Sequence, residues 1–449
     1  MKKKTVCLVS EAFPPIIDGV ANVVKNYAEQ IENTWGHAIV VTPAYPGADD
    51  TVYPFQVVRF ASLDTRKMTT GYMAGIPFSP EVSNQLGQQQ VDILHAHSPM
   101  MAALLSRALR KQVDAPMVMT YHTKYDIDIA NVIKGKALQA SSIKSIVTNI
   151  SAFDEVWTVS KGAGENLKSL GYQGDYIVMP NGVDLEKGKA SEKQITKETA
   201  GYDLPSGIPL FLYVGRLMWY KGFHITLDAL KMLKEDGVDF RMVIVGKGGD
   251  ADEIERYSNS LGLEKNVFFV GAISDRERIR CWYTRADLFL FPSTFDANGL
   301  VVREAAACGL ASVLIADSCA AEDVTDGENA FLIEENAQSM AAVLKKILPD
   351  AEHIRQVGER AGEDLYLSWE NAVANARERY SIVRDLYRCG AYEERRRLSD
   401  NLLATQGDLM ETIGKIGMKI LESKEKVQEI KHISGKNSKR TTKIIKKIY

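Results

Sequence analysis

The chain is poor in cysteine and has no long apolar run, and each shortage excludes a class of protein. Its 449 residues contain 5 cysteines, an odd number, with no Cys-x-x-Cys pair. That pattern argues against both a disulfide framework and a structural zinc site. We expect the thiols to be reduced and mostly buried. No window approaches the roughly 18 consecutive apolar residues that a membrane-spanning helix needs, so any membrane contact is expected to be peripheral.

The first residues are basic and then apolar, as in a secretory signal peptide. The apolar run ends at Glu11, however, and no cleavage site of small residues follows. The segment therefore predicts a buried first strand, and we expect a cytoplasmic protein. A chain of 449 residues exceeds the roughly 250–300 at which one hydrophobic core stops growing, which favours two domains.

Positive charge is concentrated at the C-terminus, although the whole chain is slightly acidic, with 58 acidic and 55 basic residues. Residues 431–449 hold seven Lys or Arg and no acid. Such a segment is attracted to an anionic membrane surface. A solvated tail is the plainer interpretation, and nucleic acid would attract the same charge. We favour a membrane over nucleic acid, and therefore peripheral association with the inner face of the cell membrane.

The tail also has a helical apolar pattern. Leu402, Leu409, Ile416 and Ile430 follow seven-residue spacing, which predicts an amphipathic helix. Three heptads with a gap at Ser423 are near the minimum for a coiled coil. A homodimer formed through this helix is therefore an alternative role for the tail.

Short β-branched runs alternate with longer helical stretches in the rest of the chain. The runs are residues 5–10, 38–42, 91–95, 117–121, 155–159, 210–214, 241–245, 266–270, 288–291 and 311–315. They predict an α/β fold with two doubly wound, Rossmann-like domains, each built around a parallel sheet. Residues 186–207 are polar and without periodicity, so they are the predicted linker. Ligands in such folds bind outside the carboxyl ends of the strands, here in a cleft between the sheets.

Two loops that follow predicted strands have features suited to a bound diphosphate. Gly19 precedes a helix, whose N-terminal N–H groups and dipole attract anions, although a turn alone would also favour glycine. Arg216 and Lys221 lie five residues apart after the strand at 210–214. A guanidinium fork and an ammonium at a strand end suit a pyrophosphate better than they suit two solvated surface positions.

A third loop combines a helix start with two carboxylates. Gly299 opens a helix whose first N–H groups, those of Leu300 and Val301, are expected to be free. Asp296 in the loop and Glu304 in the helix can face one ligand. Carboxylates repel phosphates, so hydroxyl groups are their expected partners. The alternatives are a helix cap for the aspartate and an exposed surface position for the glutamate.

Together these blocks resemble the GT-B retaining glycosyltransferases of family four, whose hallmark is Glu-x7-Glu followed by Ala, small residues and Gly. The sequence matches this hallmark from Asp296 through Glu304 to Gly309. The resemblance covers about residues 5–385. It includes the segments Pro180-Asn-Gly-Val-Asp, Val245-Gly-Lys-Gly-Gly, Gly327-Glu-Asn-Ala-Phe-Leu and Ser368-Trp-Glu. The departure is Asp296, one methylene shorter than the family's Glu, which leaves open which hydroxyl it contacts.

The resemblance implies a nucleotide-sugar donor, with UDP-glucose as the first expectation, and no cofactor or metal. Gly19 would lie by the distal phosphate, and Arg216 and Lys221 would hold the pyrophosphate together with the free helix amides. Glu304 would accept a hydrogen bond from the ribose. Asp296 would bind a hexose hydroxyl. The cations would offset charge on the departing diphosphate, and neither carboxylate need be a nucleophile.

Residues 120–125 resemble the family's catalytic-histidine loop, which would place His122 beside the donor sugar. A histidine at a strand end is by default structural, but the neighbouring motifs favour the site. His95 and His97 share one face of a predicted strand. Because no carboxylate or cysteine lies nearby at ligand spacing, we expect them to pack in the core or the acceptor cleft rather than bind metal.

The resemblance also predicts where the domains begin and end. Residues 1–190 would form the acceptor-side domain and 206–368 the nucleotide-sugar-binding domain. Residues 369–390 would form a helix that crosses back to the first domain, and 391–449 the amphipathic basic tail.

Two segments, 17–24 and 121–125, look most like the diacylglycerol glucosyltransferases within the family. The predicted activity is therefore transfer of a hexose to a membrane lipid with retention of configuration. The first alternative is the same chemistry on a soluble sugar or polysaccharide. The second is a catalytically silent nucleotide-sugar-binding or scaffold protein, which Asp296 and the long tail suggest. A dinucleotide oxidoreductase is disfavoured because no Gly-x-Gly-x-x-Gly follows the first strand.

Overall fold

The computed structural model describes residues 3–16, 18–65, 72–76, 80–110 and 112–392. Within these residues the chain forms two parallel sheets, one in each half, with helices on their faces. The basic tail and its heptads, at 393–449, lie outside the described residues. The membrane contact and the dimer predicted from them stay predictions.

Seven parallel strands form the sheet of the first half, and a short antiparallel ribbon lies beside it. The strands are β1 (Lys4–Val9), β2 (Gly36–Pro43), β3 (Gln56–Phe60), β4 (Ser62–Leu63), β5 (Ala74–Gly75), β6 (Ile93–Ala96), β7 (Met117–Tyr121), β8 (Glu155–Thr158) and β9 (Ile177–Val178). The sheet order is β3-β2-β1-β6-β7-β8-β9, and β4 pairs with β5 in the ribbon. Val6 lies opposite Ala38 on one side and Ile93 on the other. The strand order therefore reverses between β1 and β6.

Six parallel strands form the sheet of the second half. They are β10 (Leu210–Val214), β11 (Arg241–Val245), β12 (Val267–Gly271), β13 (Leu288–Phe291), β14 (Ser312–Ile315) and β15 (Phe331–Ile333). The order is β12-β11-β10-β13-β14-β15, so this sheet reverses between β10 and β13. Such a switch point leaves a crevice outside the carboxyl ends of the strands, where open α/β folds bind ligands.

The helices cover both sheets, and many begin at a polar side chain that caps the first turn. They are α1 (Gly19–Thr34), α2 (Pro80–Gly87), α3 (Met101–Leu109), α4 (Tyr125–Val132), α5 (Lys136–Ile150), α6 (Lys161–Ser169), α7 (Glu192–Glu198), α8 (Phe223–Glu235), α9 (Ala251–Ser260), α10 (Arg276–Arg285), α11 (Leu300–Ala307), α12 (Ala337–Ile347), α13 (Ala351–Asp364) and α14 (Trp369–Arg388). Two short 3-10 helices lie at Trp219–Lys221 and Cys319–Ala321. Asp18, Asp275 and Ser368 are among the capping residues, each accepting from amides of the helix that follows.

The last described helix completes the core of the first half. Trp369, Tyr380 and Val383 of α14 pack in one buried cluster with Val6 and Leu8 of β1 and with residues of α1. The second sheet has its own core, made from β10 to β15 and the helices around them. Because helices bury both faces of the central strands, those strands are mostly apolar along their length rather than alternating.

The sequence identified the strands of both sheet centres, and the α/β architecture is confirmed. All ten predicted runs lie on observed strands, with bounds that differ by at most two residues. Four of the five cysteines are buried, as expected, and Cys389 is exposed. Within the predicted linker at 186–207, Ser191 and Gln194 form a capping box that starts α7. The predicted domain boundaries stay predictions.

Candidate active site

Loops from the two halves meet at the carboxyl ends of the sheets. Lys124, which follows β7, donates through Nζ to the carbonyl oxygen of Thr294, which follows β13, across 3.1 Å. On another part of the rim, the carboxylate of Glu322 accepts from backbone N–H groups at the start of α6. Its oxygens lie 2.7 Å from Lys161 N and 2.5 Å from Gly162 N. These bonds join the two sides of the cleft.

Lys221 and Asp296 form a close ion pair inside this cleft. Lys221 is only 4% exposed, and its Nζ donates to Oδ1 of Asp296 across 2.7 Å. Ser293 Oγ donates to the other carboxylate oxygen across 2.6 Å. The ammonium also lies 5.1 Å and 5.6 Å from the ring centres of Phe295 and Tyr220. Burial lowers the pKa of Lys221, and the charge of Asp296 opposes that shift.

Arg216 lies on the exposed side of the loop after β10. Its carbonyl oxygen accepts from Tyr213 Oη across 3.1 Å, which fixes the backbone. Within the described part of the chain, its guanidinium makes no ion pair or side-chain hydrogen bond. Besides burial, the nearby charge of Arg216 lowers the pKa of Lys221. Arg216 therefore lies within electrostatic range of Lys221, and among the described residues Lys221 is paired while the guanidinium of Arg216 is not.

The start of α11 faces the same cleft without a side-chain cap. Gly299 has φ of 57°, in the left-handed region that favours glycine. A Cβ on Gly299 would lie 2.9 Å from the Cβ of Ala320, so a larger residue would also clash. No side chain of the described residues caps this helix. The first amides, those of Leu300 and Val301, therefore remain available to an anion.

Glu304 is a buried carboxylate, not the exposed surface glutamate that was the simpler alternative. It is 6% exposed. Its Oε1 accepts from Arg276 Nη1 across 3.1 Å, and its Oε2 accepts from Tyr283 Oη across 3.0 Å. Burial raises the pKa of Glu304, while the charge of Arg276 opposes that shift. The ion pair with Arg276 stabilises a carboxylate in a site that disfavours charge.

The start of α1 is partly occupied by the side chain of Asp18. Its Oδ1 accepts from Val20 N across 2.8 Å and from Ala21 N across 3.2 Å. Its Oδ2 accepts from Tyr72 Oη across 2.7 Å. Gly19 has open space beside it, since a Cβ there would meet no atom within 4 Å. The helix therefore offers less to an anion than α11 does, and a glycine at position 19 is not required by packing.

His122 lies in a buried stack of histidine side chains. Its Nε2 lies 3.0 Å from Nδ1 of His97, and the two rings stack with centres 5.3 Å apart. Burial lowers the pKa of His122 to about 3, so the imidazole is neutral at pH 7. His95 contacts Tyr380 Oη at 2.6 Å and Thr120 Oγ1 at 2.7 Å. His95 and His97 therefore pack in the core beside the cleft.

Two polar residues at the site, Asp184 and Arg276, were not predicted as site residues from the sequence. Asp184 accepts from Arg276 Nη2 across 2.8 Å and so connects the Pro180-Asn-Gly-Val-Asp segment to Glu304. That segment was recognised as a family motif, which was the available signal for Asp184. Arg276 gave no signal because it opens an ordinary polar helix, and its two partners lie 92 and 28 residues away.

Comparisons with known proteins agree with this architecture. The model for Glycosyltransferase Family 4 matches residues 17–187, and the model for Glycosyl transferases group 1 matches residues 194–364. Two parallel sheets whose loops meet at their carboxyl ends are the architecture called GT-B. The chain belongs to the family-4 glycosyltransferases, which confirms the resemblance seen in the motifs.

Curated relatives are distant in sequence. The alpha-monoglucosyldiacylglycerol synthase of Streptococcus pneumoniae is 22% identical, over 67% of this chain and 69% of that protein. The enzyme of the same name from Acholeplasma laidlawii is 23% identical, over 79% and 89%. A GDP-mannose-dependent alpha-(1-6)-phosphatidylinositol dimannoside mannosyltransferase of Mycobacterium tuberculosis is 26% identical, over 72% and 81%.

Solved structures with the same fold cover most of the chain. HepE of Anabaena, solved in complex with UDP, superposes with a TM-score of 0.68 at 20% identity, over 85% of this chain and all of that one. Sucrose-phosphate synthase of Thermosynechococcus elongatus gives a TM-score of 0.69 at 19% identity, over 85% and 99%. The predicted GT-B architecture is thereby confirmed. In the described residues, no helix has the length and apolarity of a membrane span.

Proposed function

We propose that this glycosyltransferase transfers glucose from UDP-glucose to a diacylglycerol-type membrane lipid, with retention of anomeric configuration. One observation carries the proposal. Arg216 and Lys221 follow β10, and Lys221 pairs with Asp296, which follows the neighbouring strand β13 at the switch point. The helix α11, which no described side chain caps, begins just after Asp296 and carries Glu304. Positive groups suit a diphosphate, and buried acceptor groups suit the hydroxyls on either side of it.

The leaving diphosphate would be stabilised by fixed positive groups. Arg216, Lys221 and the amides of Leu300 and Val301 would offset the charge that grows on it as the sugar departs. Lys221 would have to share its proton donors between a phosphate oxygen and Asp296. An ammonium has three N–H donors, so one can stay with the carboxylate while the others turn to phosphate.

The sugar and the ribose would be held by acceptors. Asp296, kept in place by Ser293 and Lys221, would accept from a hexose hydroxyl, and Glu304 would accept from the ribose. His122 is neutral at pH 7 and would lie beside the sugar as an uncharged hydrogen-bonding group. None of these groups need form a covalent bond with the sugar, which is consistent with attack from the face that the diphosphate leaves.

The choice of donor and acceptor is supported by the relatives. The synthases of Streptococcus pneumoniae and Acholeplasma laidlawii are named for glucosylation of diacylglycerol, and HepE has been solved with UDP-glucose. The mannosyltransferase of Mycobacterium tuberculosis uses GDP-mannose, so the donor base needs a direct test. We propose a peripheral membrane association through the basic residues at 431–449, which hold seven Lys or Arg.

Product analysis tests this proposal. The full chain is incubated with UDP-glucose, UDP-galactose or GDP-mannose and with vesicles that contain diacylglycerol, and products are identified by mass and by the anomeric proton resonance. We expect an α-glucosyl lipid from UDP-glucose. Transfer only to soluble sugars would contradict the acceptor, and neither transfer nor donor hydrolysis would indicate a silent binding protein. Equal binding to neutral and anionic vesicles would contradict the membrane contact.

A further inference from the structure

Arg276 bridges two carboxylates from distant parts of the chain. Nη1 donates to Glu304 Oε1 across 3.1 Å, and Nη2 donates to Asp184 Oδ2 across 2.8 Å. Arg276 is the first residue of α10, whose cap is Asp275. A planar guanidinium suits such a bridge because its N–H groups point in fixed directions. A lysine at this position would have to divide a single nitrogen between the two carboxylates.

Asp184 connects Arg276 to the first half of the protein. Its Oδ1 accepts from Trp369 Nε1 across 2.7 Å and from Asn26 Nδ2 across 2.9 Å. Its Oδ2 also accepts from Asn22 Nδ2 across 2.6 Å. The two asparagines belong to α1 and the tryptophan to α14. A carboxylate with four donors from three helices has one well-defined position, and so does the guanidinium it holds.

Glu304 is held from its other side as well. Tyr283 Oη donates to Oε2 across 3.0 Å, while Arg276 occupies one position on Oε1. An ionised carboxylate offers about four acceptor positions. Glu304 can therefore accept from hydroxyl groups of a ligand without losing either neighbour, and its orientation towards them is set before they arrive.

We propose that Arg276 is a positioning residue for the donor's ribose: it fixes the carboxylate of Glu304 towards the ribose hydroxyls and ties it through Asp184 to α1. This proposal rests on the proposed function, in which Glu304 accepts from the ribose. Gly19 lies at the start of α1, on the side assigned to the distal phosphate. The bridge therefore ties the carboxylate assigned to the ribose, through Asn22 and Asn26, to the helix that begins at Gly19.

The test compares nucleotides that differ only in the ribose. Dissociation constants of UDP, 2′-deoxy-UDP and 3′-deoxy-UDP are measured by calorimetry for the full-length wild type and for Arg276→Gln. In the wild type we expect UDP to bind about tenfold more tightly than a deoxy analogue, as for loss of a hydrogen bond to a charged group. In Arg276→Gln we expect this ratio to fall to about one to threefold, because Glu304 loses its fixed direction.

Two further variants serve as controls. Arg278→Gln lies on the same helix and also loses an ion pair, with Glu198, but this pair does not involve Glu304. We expect it to keep the wild-type preference for ribose. Arg276→Lys keeps the positive charge without the two-sided fork, and we expect an intermediate ratio. If thermal unfolding shows that Arg276→Gln does not fold, the ratio of dissociation constants is measured on Arg276→Lys instead.

The outcomes separate this inference from the proposed function. If Arg276→Gln weakens UDP and both deoxy analogues by the same factor, or retains the wild-type ratio, the positioning role is wrong while nucleotide binding stands. A wild type that binds UDP without regard to the ribose hydroxyls would also overturn it. A wild type that binds neither UDP nor GDP would overturn the proposed function itself, and the positioning role with it.

Discussion

Lys221 donates to Asp296 across 2.7 Å, so the residue assigned to the diphosphate and the residue assigned to the hexose are directly bonded. The pair lies between β10 and β13, at the switch point of the second sheet. A change in either side chain therefore alters the surroundings of the other. The free-energy effects of substitutions at these two positions are therefore expected to be non-additive.

Removing either cation is expected to impair the chemical step. We expect Arg216→Ala or Lys221→Ala to lower kcat about a hundredfold or more, since each group would offset charge on the leaving diphosphate. The matched control is Lys231→Ala in α8, which is expected to leave kcat unchanged. This lysine has a half-exposed side chain that pairs with Glu235. Near-normal turnover of either cation variant would contradict the assignment of the donor site.

Asp296 is expected to influence which hexose is accepted. Asp296→Glu lengthens the side chain by one methylene and should move its oxygens to a different hydroxyl. We expect the ratio of kcat/KM for UDP-glucose and UDP-galactose to change by about tenfold. Asp296→Asn, which keeps the length and removes the charge, should lower both values without that change in ratio. Identical ratios in the wild type and Asp296→Glu would show that this residue does not select the sugar.

Lys124 is expected to help close the cleft. Lys124→Met keeps most of the side-chain length but loses the 3.1 Å hydrogen bond to the carbonyl of Thr294. We expect KM for the donor to rise about threefold to tenfold, as for one charge-assisted hydrogen bond that is partly exposed. Lys124→Arg should retain the wild-type value. Lys161→Met is the control, because only its backbone contributes to the neighbouring contact with Glu322; equal effects at both positions would contradict a specific role.

Asp184 is expected to be important for stability. Asp184→Ala would remove the acceptor that Arg276, Trp369 and two asparagine amides share, leaving Arg276 with Glu304 alone. We expect the free energy of unfolding to fall by about 2–4 kcal/mol, as when one partner of a largely buried polar network is removed. Asp203→Ala, which breaks an exposed pair with Arg241, should cost at most about 1 kcal/mol. Similar melting temperatures for the two variants would contradict a central role for Asp184.

The histidine stack is expected to make the fold sensitive to acid. Burial lowers the pKa of His122 from 6.5 to about 3. Below pH 6.5 this imidazole is therefore protonated in the unfolded chain but stays neutral in the folded protein. The contribution of His122 to the free energy of unfolding is therefore fully present above pH 6.5 and is lost as the pH falls towards 3. Between pH 7 and 5 the loss amounts to about 2 kcal/mol. We expect the difference in melting temperature between these pH values to be smaller in His122→Gln than in the wild type. The same difference in both proteins would contradict this role for His122.

The sequence was sufficient for the central strands because their signal is local. The strands β10 (Leu-Phe-Leu-Tyr-Val) and β11 (Arg-Met-Val-Ile-Val) are continuous, almost wholly apolar runs, which identifies a strand buried on both faces. The edge strands β3, β9 and β15 were missed. In β9 and β15, two or three residues carry too little pattern, whereas the five residues of β3 include the polar Gln56 and Arg59. The helix α7 was missed since its seven residues are mostly polar and bury only Ile195.

The site could be predicted as separate motifs but not as an arrangement. Arg216, Lys221, Asp296 and Glu304 were recognised from residue type and from their place after strands. Their pairing depends on contacts between segments far apart in the chain, such as Lys221 with Asp296, 75 residues later. Nothing local distinguishes Arg276 from Arg278, which points to a different partner. Only the folded backbone decides which of the two arginines reaches Glu304.

The return of α14 to the first half affects the order in which the protein can be made. The hydrophobic cluster around β1 includes Trp369, Tyr380 and Val383, which leave the ribosome after the whole second sheet. The half that is synthesised first therefore waits longest for its final packing, while the second half has all of its own core beforehand. A nascent chain halted before α14 would leave the apolar residues of β1 and α1 that pack against this helix without their cover.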